Sequence, residues 1–166
     1  RQRPFTAEMT RSIMLLKEKP YRPRMADYRI GVFFTGREQL GEGAKTTAPV
    51  YYANRWDIQP SDTAAYLRGE KVKPTKQIVF YIDNTFPEKW KPYLREGVTQ
   101  WNELFEQIGF KDVVAAKDFP TDDPEFDPDN IKYSCVRYAP SSIENAMGPS
   151  WVDPRSGEIL NASVYL

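Results

Sequence analysis

Residues Asn145 to Leu166, NAMGPSWVDPRSGEILNASVYL, organise the chain. Two short apolar segments, Met147–Val152 and Ile159–Leu166, flank the polar run Asp153 to Glu158. Pro154 fits the second position of a type I turn, and Gly157 can take the positive φ that closes a hairpin loop of this length. The stretch therefore predicts two antiparallel strands. The first runs through Gly148, Pro149, Ser150, Trp151 and Val152, and a strand that carries proline is normally confined to a sheet edge. An edge strand leaves a row of N–H and C=O groups unpaired, and an extended peptide can add itself there as a further strand. From pattern alone the hairpin is either a protected edge or the wall of a peptide-binding cleft.

Upstream of the hairpin, Ile131–Tyr138 alternates as a strand, and Cys135 within it reads as a small core residue because no base is at hand to activate it. Phe119–Asn130 is an acidic, proline-punctuated loop. Its carboxylates at 122, 123, 125, 127 and 129 lack the alternating ligands and central glycine of an EF-hand, so a solvated loop is the expectation. Further back, Gln77–Ile82 is a compact apolar run that predicts a buried strand. One long helix follows, because Trp90, Leu94, Val98, Trp101, Phe105 and Ile108 recur on a single face of a 3.6-residue period. Thr85 or Phe86 starts it with Pro87 in the first turn, and Gly109 stops it; Pro92 either marks the true start or kinks the first turns. Phe110–Ala116 predicts the next strand. Residues 78–116 thus make a β-α-β unit, which implies parallel strands and a right-handed crossover.

The N-terminal part is read as a short helix from Met9 to Leu16 that ends before Pro20, then a strand over Tyr28–Phe34. Gly36–Pro49 is polar and glycine-bearing and predicts a mobile loop; residues 41–46 within it fail the spacing of a phosphate-binding loop. Val50–Ile58 reads as a second strand that pairs with the first as a ribbon. Ser61 or Asp62 can cap a short helix through Leu67, with Gly69 as its stop.

Composition narrows the function. Lysine and arginine total 23 and balance 23 acidic residues, and no basic stripe is visible, so nucleic acid and anionic membrane are not expected as main partners. No apolar run is long enough to span a bilayer. Fourteen prolines and ten tyrosines suit a rigid, loop-rich chain of one-domain length. The chain begins Arg-Gln-Arg, which reads as a fragment without its signal peptide. A single cysteine excludes an internal disulfide, and the absence of histidine excludes a Ser-His-Asp triad, a Cys-His dyad and a histidine zinc site within these residues. Paired carboxylates for glycoside hydrolysis are not selected by anything in the sequence.

Several blocks carry a resemblance: IVFYIDNTFPEKW at 78–90, GVTQWNELFEQIGF at 97–110, DFPTDDPEFDP at 118–128, YSCVRY at 133–138 and NAMGPSWVDPRSGEILNASV at 145–164. Together they resemble the N-terminal half of a zincin-type metallopeptidase catalytic domain, that of the Met-zincin group of bacterial zinc-dependent metalloproteases. Asp27–Phe33 and Asn54–Trp56 resemble the same group more weakly. The resemblance implies an α/β (α+β) zincin-like fold: a mixed twisted sheet with an antiparallel edge strand, one long helix packed on it and an N-terminal β-ribbon. Residues 1–74 would be the extension, with its short helix and ribbon, and residues 75–166 the upstream half of the catalytic domain.

In that family the edge strand holds extended substrate above the zinc, and the next element is a helix with H-E-x-x-H, whose histidines bind the metal beside a glutamate general base. Gly148, Pro149, Ser150, Trp151 and Val152 would form the substrate edge, for a peptide or protein substrate. The chain stops before the zinc helix, so these residues supply no catalytic and no metal-binding side chain; zinc would belong to the longer parent protein, and this stretch alone would be inactive. Glu158 is not promoted to general base. The resemblance also implies a secreted, periplasmic or outer-membrane-associated protein, and an apolar face left open to dimerisation. Two other classes compete: a non-catalytic peptide- or protein-binding module, and a carbohydrate-binding domain that would display Trp56 or Trp151.

Overall fold

The computed structural model describes residues 4–41, 43, 45–142 and 145–166. Its elements in chain order are β1 (Phe34–Leu40), β2 (Thr47–Ala53), α1 (Thr63–Leu67), β3 (Ile78–Ile82), α2 (Lys91–Thr99), α3 (Asn102–Gln107), β4 (Val114–Asp118), β5 (Ser134–Arg137), β6 (Ser150–Asp153) and β7 (Glu158–Tyr165). They form an α+β protein with two sheets. β1 and β2 make a ribbon, and the larger sheet has the order β4-β3-β5-β7-β6. β3 runs parallel to both β4 and β5, and β5 parallel to β7, whereas β6 pairs antiparallel with β7. The hairpin thus ends a parallel sheet with one antiparallel edge strand, and β3, α2, α3 and β4 form the β-α-β unit.

Two clusters hold the layers together. Ile82, Phe86 and Val136 pack beneath Leu94 and Val98 of α2. Ala65, Val72, Ile78, Phe110, Val113 and Val114 form the second, with Trp56 and Phe105 against them. Ile82 and Val113 are fully buried, and burying a side chain of that size stabilises by about 1.5–3 kcal/mol. The second cluster joins residues on both sides of position 74, because α1 packs on the β3–β4 side of the sheet.

The single long helix expected over 90–108 is two helices. Around Gln100 and Trp101 the backbone tightens, and Glu103 N–H and Leu104 N–H bond three residues back, to Gln100 and Trp101 (3.1 Å each). Two side chains favour this joint. Thr99 Oγ1 donates to the Arg95 carbonyl (2.8 Å), in competition with the helix ladder. Asn102 is held by β4: its Oδ1 accepts from Val113 and Val114 N–H (2.8 Å each), and its Nδ2 donates to the Val114 carbonyl (2.9 Å). A tightened turn shifts the phase of the side chains beyond it. Leu94, Val98 and Phe105 pack inward, but Trp90, Trp101 and Ile108 are largely exposed, so the expected continuous buried face is broken. Pro92 sits within the first turn of α2 and marks its start.

The N-terminal part departs further from expectation. Met9–Leu16 is not helical. Met9, Ile13 and Leu15 are strongly exposed, and a short helix without an apolar surface to dock on does not repay its nucleation. Tyr28–Phe34 starts as a turn, with Asp27 Oδ1 accepting from Arg29 N–H (3.0 Å), and the strand begins only at Phe34. It runs through residues expected as loop and pairs with β2 from Phe34↔Ala53 to Leu40↔Thr47. Cross-strand contacts that no periodicity reveals stabilise this register: Phe34 meets Tyr51 edge-on, and Arg37 lies over the Tyr52 ring at 5.0 Å. The connection between β1 and β2 covers the 41–46 segment, in which Glu42 and Ala44 lie outside the described residues.

The expected cap of α1 is present, with Asp62 Oδ1 accepting from Ala65 N–H (2.9 Å). The strand after α3 begins at Val114 rather than Phe110, because Gly109 (φ 87°) and Asp112 (φ 53°) turn the chain first and Phe110 bridges to Val72 instead.

Candidate functional site

The β6–β7 turn is built as its residues predict. Asp153 C=O accepts from Ser156 N–H (3.1 Å) and Gly157 N–H (2.8 Å), and Gly157 adopts φ 74°. Asp153 is almost completely buried, with its carboxylate gripped by Arg155 through backbone N–H (2.9 Å), Nε (3.0 Å) and Nη2 (2.8 Å). The Arg155 hydrogen bonds hold the Asp153 carboxyl below its ordinary value despite burial. Gly157 C=O accepts from Arg55 N–H (2.9 Å), which ties the turn to the end of the ribbon.

Ladder parity decides what β6 presents outward. Met147 and Tyr165 exchange both backbone bonds (3.1 and 2.7 Å), and Ser163 N–H donates to the Pro149 carbonyl (3.0 Å). Hydrogen-bonded pairs alternate in an antiparallel ladder, so Met147, Pro149 and Trp151 turn their main chain toward β7. Gly148 and Ser150 turn theirs to the open side. Proline therefore sits at an inward position, where its missing N–H removes one ladder bond and leaves the outer row intact. Of the five expected edge residues, Gly148, Pro149, Ser150 and Trp151 are exposed and Val152 is half-buried. Trp151 offers its side chain, not its main chain, to a partner. A bulge after Trp151 bends the strand before the turn.

The N-terminal segment reaches this hairpin, a link that no local pattern announced. Lys17 Nζ bridges Asp57 (2.8 Å) and Glu158 (2.7 Å), and the Lys17 carbonyl accepts from Arg155 Nη2 (2.8 Å). Glu158 is buried, and its carboxylate is held in this ion pair. Burial opposes ionisation of Lys17, but its bonds to Asp57 and Glu158 outweigh that and raise its pKa. Ser12 completes the strap through longer contacts to Asp129 C=O and Ile131 N–H (3.4 Å each).

Candidate chemistry elsewhere is sparse. Cys135 is fully buried and burial pushes its thiol up to about 11, which leaves it unreactive. In the acidic loop, Asp123 and Asp127 accept from Glu125 and Asp129 N–H (2.9 and 2.8 Å), and Asp129 pairs with Arg137. Those carboxylates shape turns. Among the described residues no group of three or more His, Cys, Asp or Glu side chains is placed to hold a metal ion. The described residues thus offer no such cluster for the zinc that the resemblance assigns to the parent protein. Trp56 packs into a core cluster and stacks edge-on with Phe80, while Trp151 is 45% exposed. No helix among the described residues is long and apolar enough to cross a membrane.

The chain is thus an α+β protein with an exposed antiparallel edge strand as its best-formed candidate site. The family described as Domain of unknown function (DUF5117) matches residues 1–61, which hold the strap and the β1–β2 ribbon. No curated protein and no solved structure gives a significant match.

Proposed function

We propose that this chain supplies the sheet and the substrate-binding edge strand of a zinc-dependent endopeptidase whose metal ligands and general base lie outside these 166 residues. The observation that carries the reading is the edge itself: an antiparallel strand at the end of a parallel sheet, with Gly148 and Ser150 presenting main-chain groups to the open side. Its part in catalysis is to bind and orient an extended peptide by strand addition. Each added main-chain bond contributes about 0.5–1.5 kcal/mol net, so a few such bonds give modest affinity and leave selectivity to neighbouring side-chain pockets.

A second feature agrees with a further helix beside α2. Phe80, Leu94, Val98, Trp101, Val136 and Val164 line an apolar groove of about 270 Å³ on the helix-bearing face of the sheet. A zinc-bearing helix laid there would cover it and face the edge strand. The same reading takes the protein to a secreted, periplasmic or outer-membrane-associated setting.

The test uses the full-length protein: zinc content by elemental mass spectrometry and turnover of unstructured peptides. Ser150→Pro removes the outward N–H, and kcat/KM is expected to fall by about tenfold or more. Absence of zinc together with chelator-insensitive peptide binding would convert the edge into that of a non-catalytic binding module. Unchanged kinetics in Ser150→Pro would sink the edge assignment.

A further inference from the structure

On the face of the sheet opposite α2, a cavity of about 410 Å³ lies between the strap and the β6–β7 hairpin. Its volume is in the range of small-ligand sites, about 300–1,000 Å³. Asn161 and Ser163 of β7 line it, at only 2% and 6% exposure. Asn161 Nδ2 donates to the carbonyls of Ile131 (2.9 Å) and Tyr133 (2.7 Å). Carbonyls only accept, so the amide is fixed one way round, and its Oδ1 takes no hydrogen bond from any described residue. Ser163 Oγ has no partner among the described residues either. Neither oxygen is sealed from solvent, since the one buried side-chain atom without a partner among the described residues is Arg55 Nε, so both acceptors stand open to the cavity.

The rest of the lining has a definite chemistry. Glu8 and Asp129 contribute carboxylates, Tyr133 and Trp151 contribute rings, and among the described residues no lysine or arginine lines the space. Asp129 is paired with Arg137, whereas Glu8 has no ion pair among the described residues. Acceptors, one unneutralised carboxylate and aromatic faces together suit a cation that donates hydrogen bonds in several directions. An anion would meet Glu8 unfavourably, and an apolar group would leave Asn161 Oδ1 unpartnered.

We propose that this cavity is a subsite for a basic side chain, the guanidinium of arginine or the ammonium of lysine, on a peptide docked along β6. Trp151 stands on β6 and lines the cavity, so the docking edge and the subsite adjoin. Alternate residues of an added strand point to this face, and one of them would place its cation between Glu8 and Asn161. The peptide-borne form of the proposal rests on the edge-docking reading above; the cation preference of the cavity rests on its own lining.

The experiment is ¹⁵N NMR titration of the 166-residue protein with two kinds of probe. The small probe, N-acetylarginine methylamide, is expected to shift the Asn161 side-chain amide and the Ser163 backbone amide. Glu8→Gln and Ser163→Ala should each weaken it several-fold, and added salt should weaken it further. The second probe is a capped hexapeptide with one arginine, compared with the same peptide carrying norleucine. The arginine form is expected to bind about tenfold more tightly and to shift Gly148 and Ser150 as well. Equal binding of the two peptides at Gly148 and Ser150, with Asn161 unmoved by the small probe, would overturn the subsite and leave the docking edge standing. Shifts at Asn161 with no peptide contact at Gly148 or Ser150 would instead overturn the docking edge, and with it the peptide as carrier of the cation.

Discussion

Gly157 answers two demands at once. Its φ of 74° disfavours a side chain, and a Cβ placed there would lie 2.5 Å from the Ala53 carbonyl oxygen. That neighbour is backbone at the end of β2 and cannot swing aside. Gly157→Ala is expected to destabilise the protein by about 2–4 kcal/mol in chemical denaturation, because strain and overpacking act together. A cost below 1 kcal/mol would mean that ribbon and hairpin separate easily. Asp153 makes a different prediction, in pH. Its folded-state pKa is depressed by Arg155, so its contribution is fully present above the unfolded value of about 3.9 and is lost as pH falls through the lower, folded one. Stability should therefore decline on acidification below about pH 4, and Asp153→Asn should flatten that part of the profile. A parallel decline in the variant would assign the acid sensitivity to other carboxylates. Cys135, buried and with its thiol raised to about 11, should resist alkylation in the native protein and react only on unfolding.

At the scale of elements, Asn102 decides how the helices meet the sheet. It satisfies both N–H groups and one carbonyl at the start of β4, beside fully buried Val113. Asn102→Ala would leave those groups without partners and is expected to cost about 2–4 kcal/mol, with hydrogen exchange accelerated first at Val113 and Val114. Acceleration spread evenly over the sheet would show that the clamp is not local. Asn102 also shows where the sequence ceases to be legible. Apolar spacing and turn chemistry disclosed the hairpin, its edge position, the parallel β-α-β unit and the cap at Asp62, because each is written in one continuous stretch of sequence. The helix joint was hidden, since a polar residue on a helix carries no mark that it will bond a strand. The strap was hidden for the same reason: Lys17 meets Glu158, far away in sequence, and its apolar neighbours suggested a helix instead. Within the candidate site, the edge residues were readable, but Asn161 and Ser163 were not, because alternation along β7 fixes a face without saying what lies opposite.

For the molecule as a whole, the two faces of the large sheet are finished to different degrees. The face away from α2 is covered by the loop that brings Phe126 and Tyr133 onto Tyr81 and by the strap anchored through Lys17. The other face carries α2 and α3 but leaves the groove beside them open, with Trp101 60% exposed at its rim. Exposed aromatic surface next to an apolar groove is unfavourable in water and calls for a cover. If the zinc-bearing helix of the proposed peptidase lies there, Trp101 changes environment between this chain and a longer one. The measurement is acrylamide quenching of Trp101 in variants that have Trp56, Trp90 and Trp151 replaced by phenylalanine. In the 166-residue protein Trp101 should be readily quenched. In a chain that continues past Leu166 it should be protected several-fold, and Tyr93→Asp at the exposed rim of the groove should restore quenching by displacing the added helix. Equal accessibility in both chains would remove the groove as support for a covering helix. The edge strand would then stand as a docking site without a catalytic helix facing it.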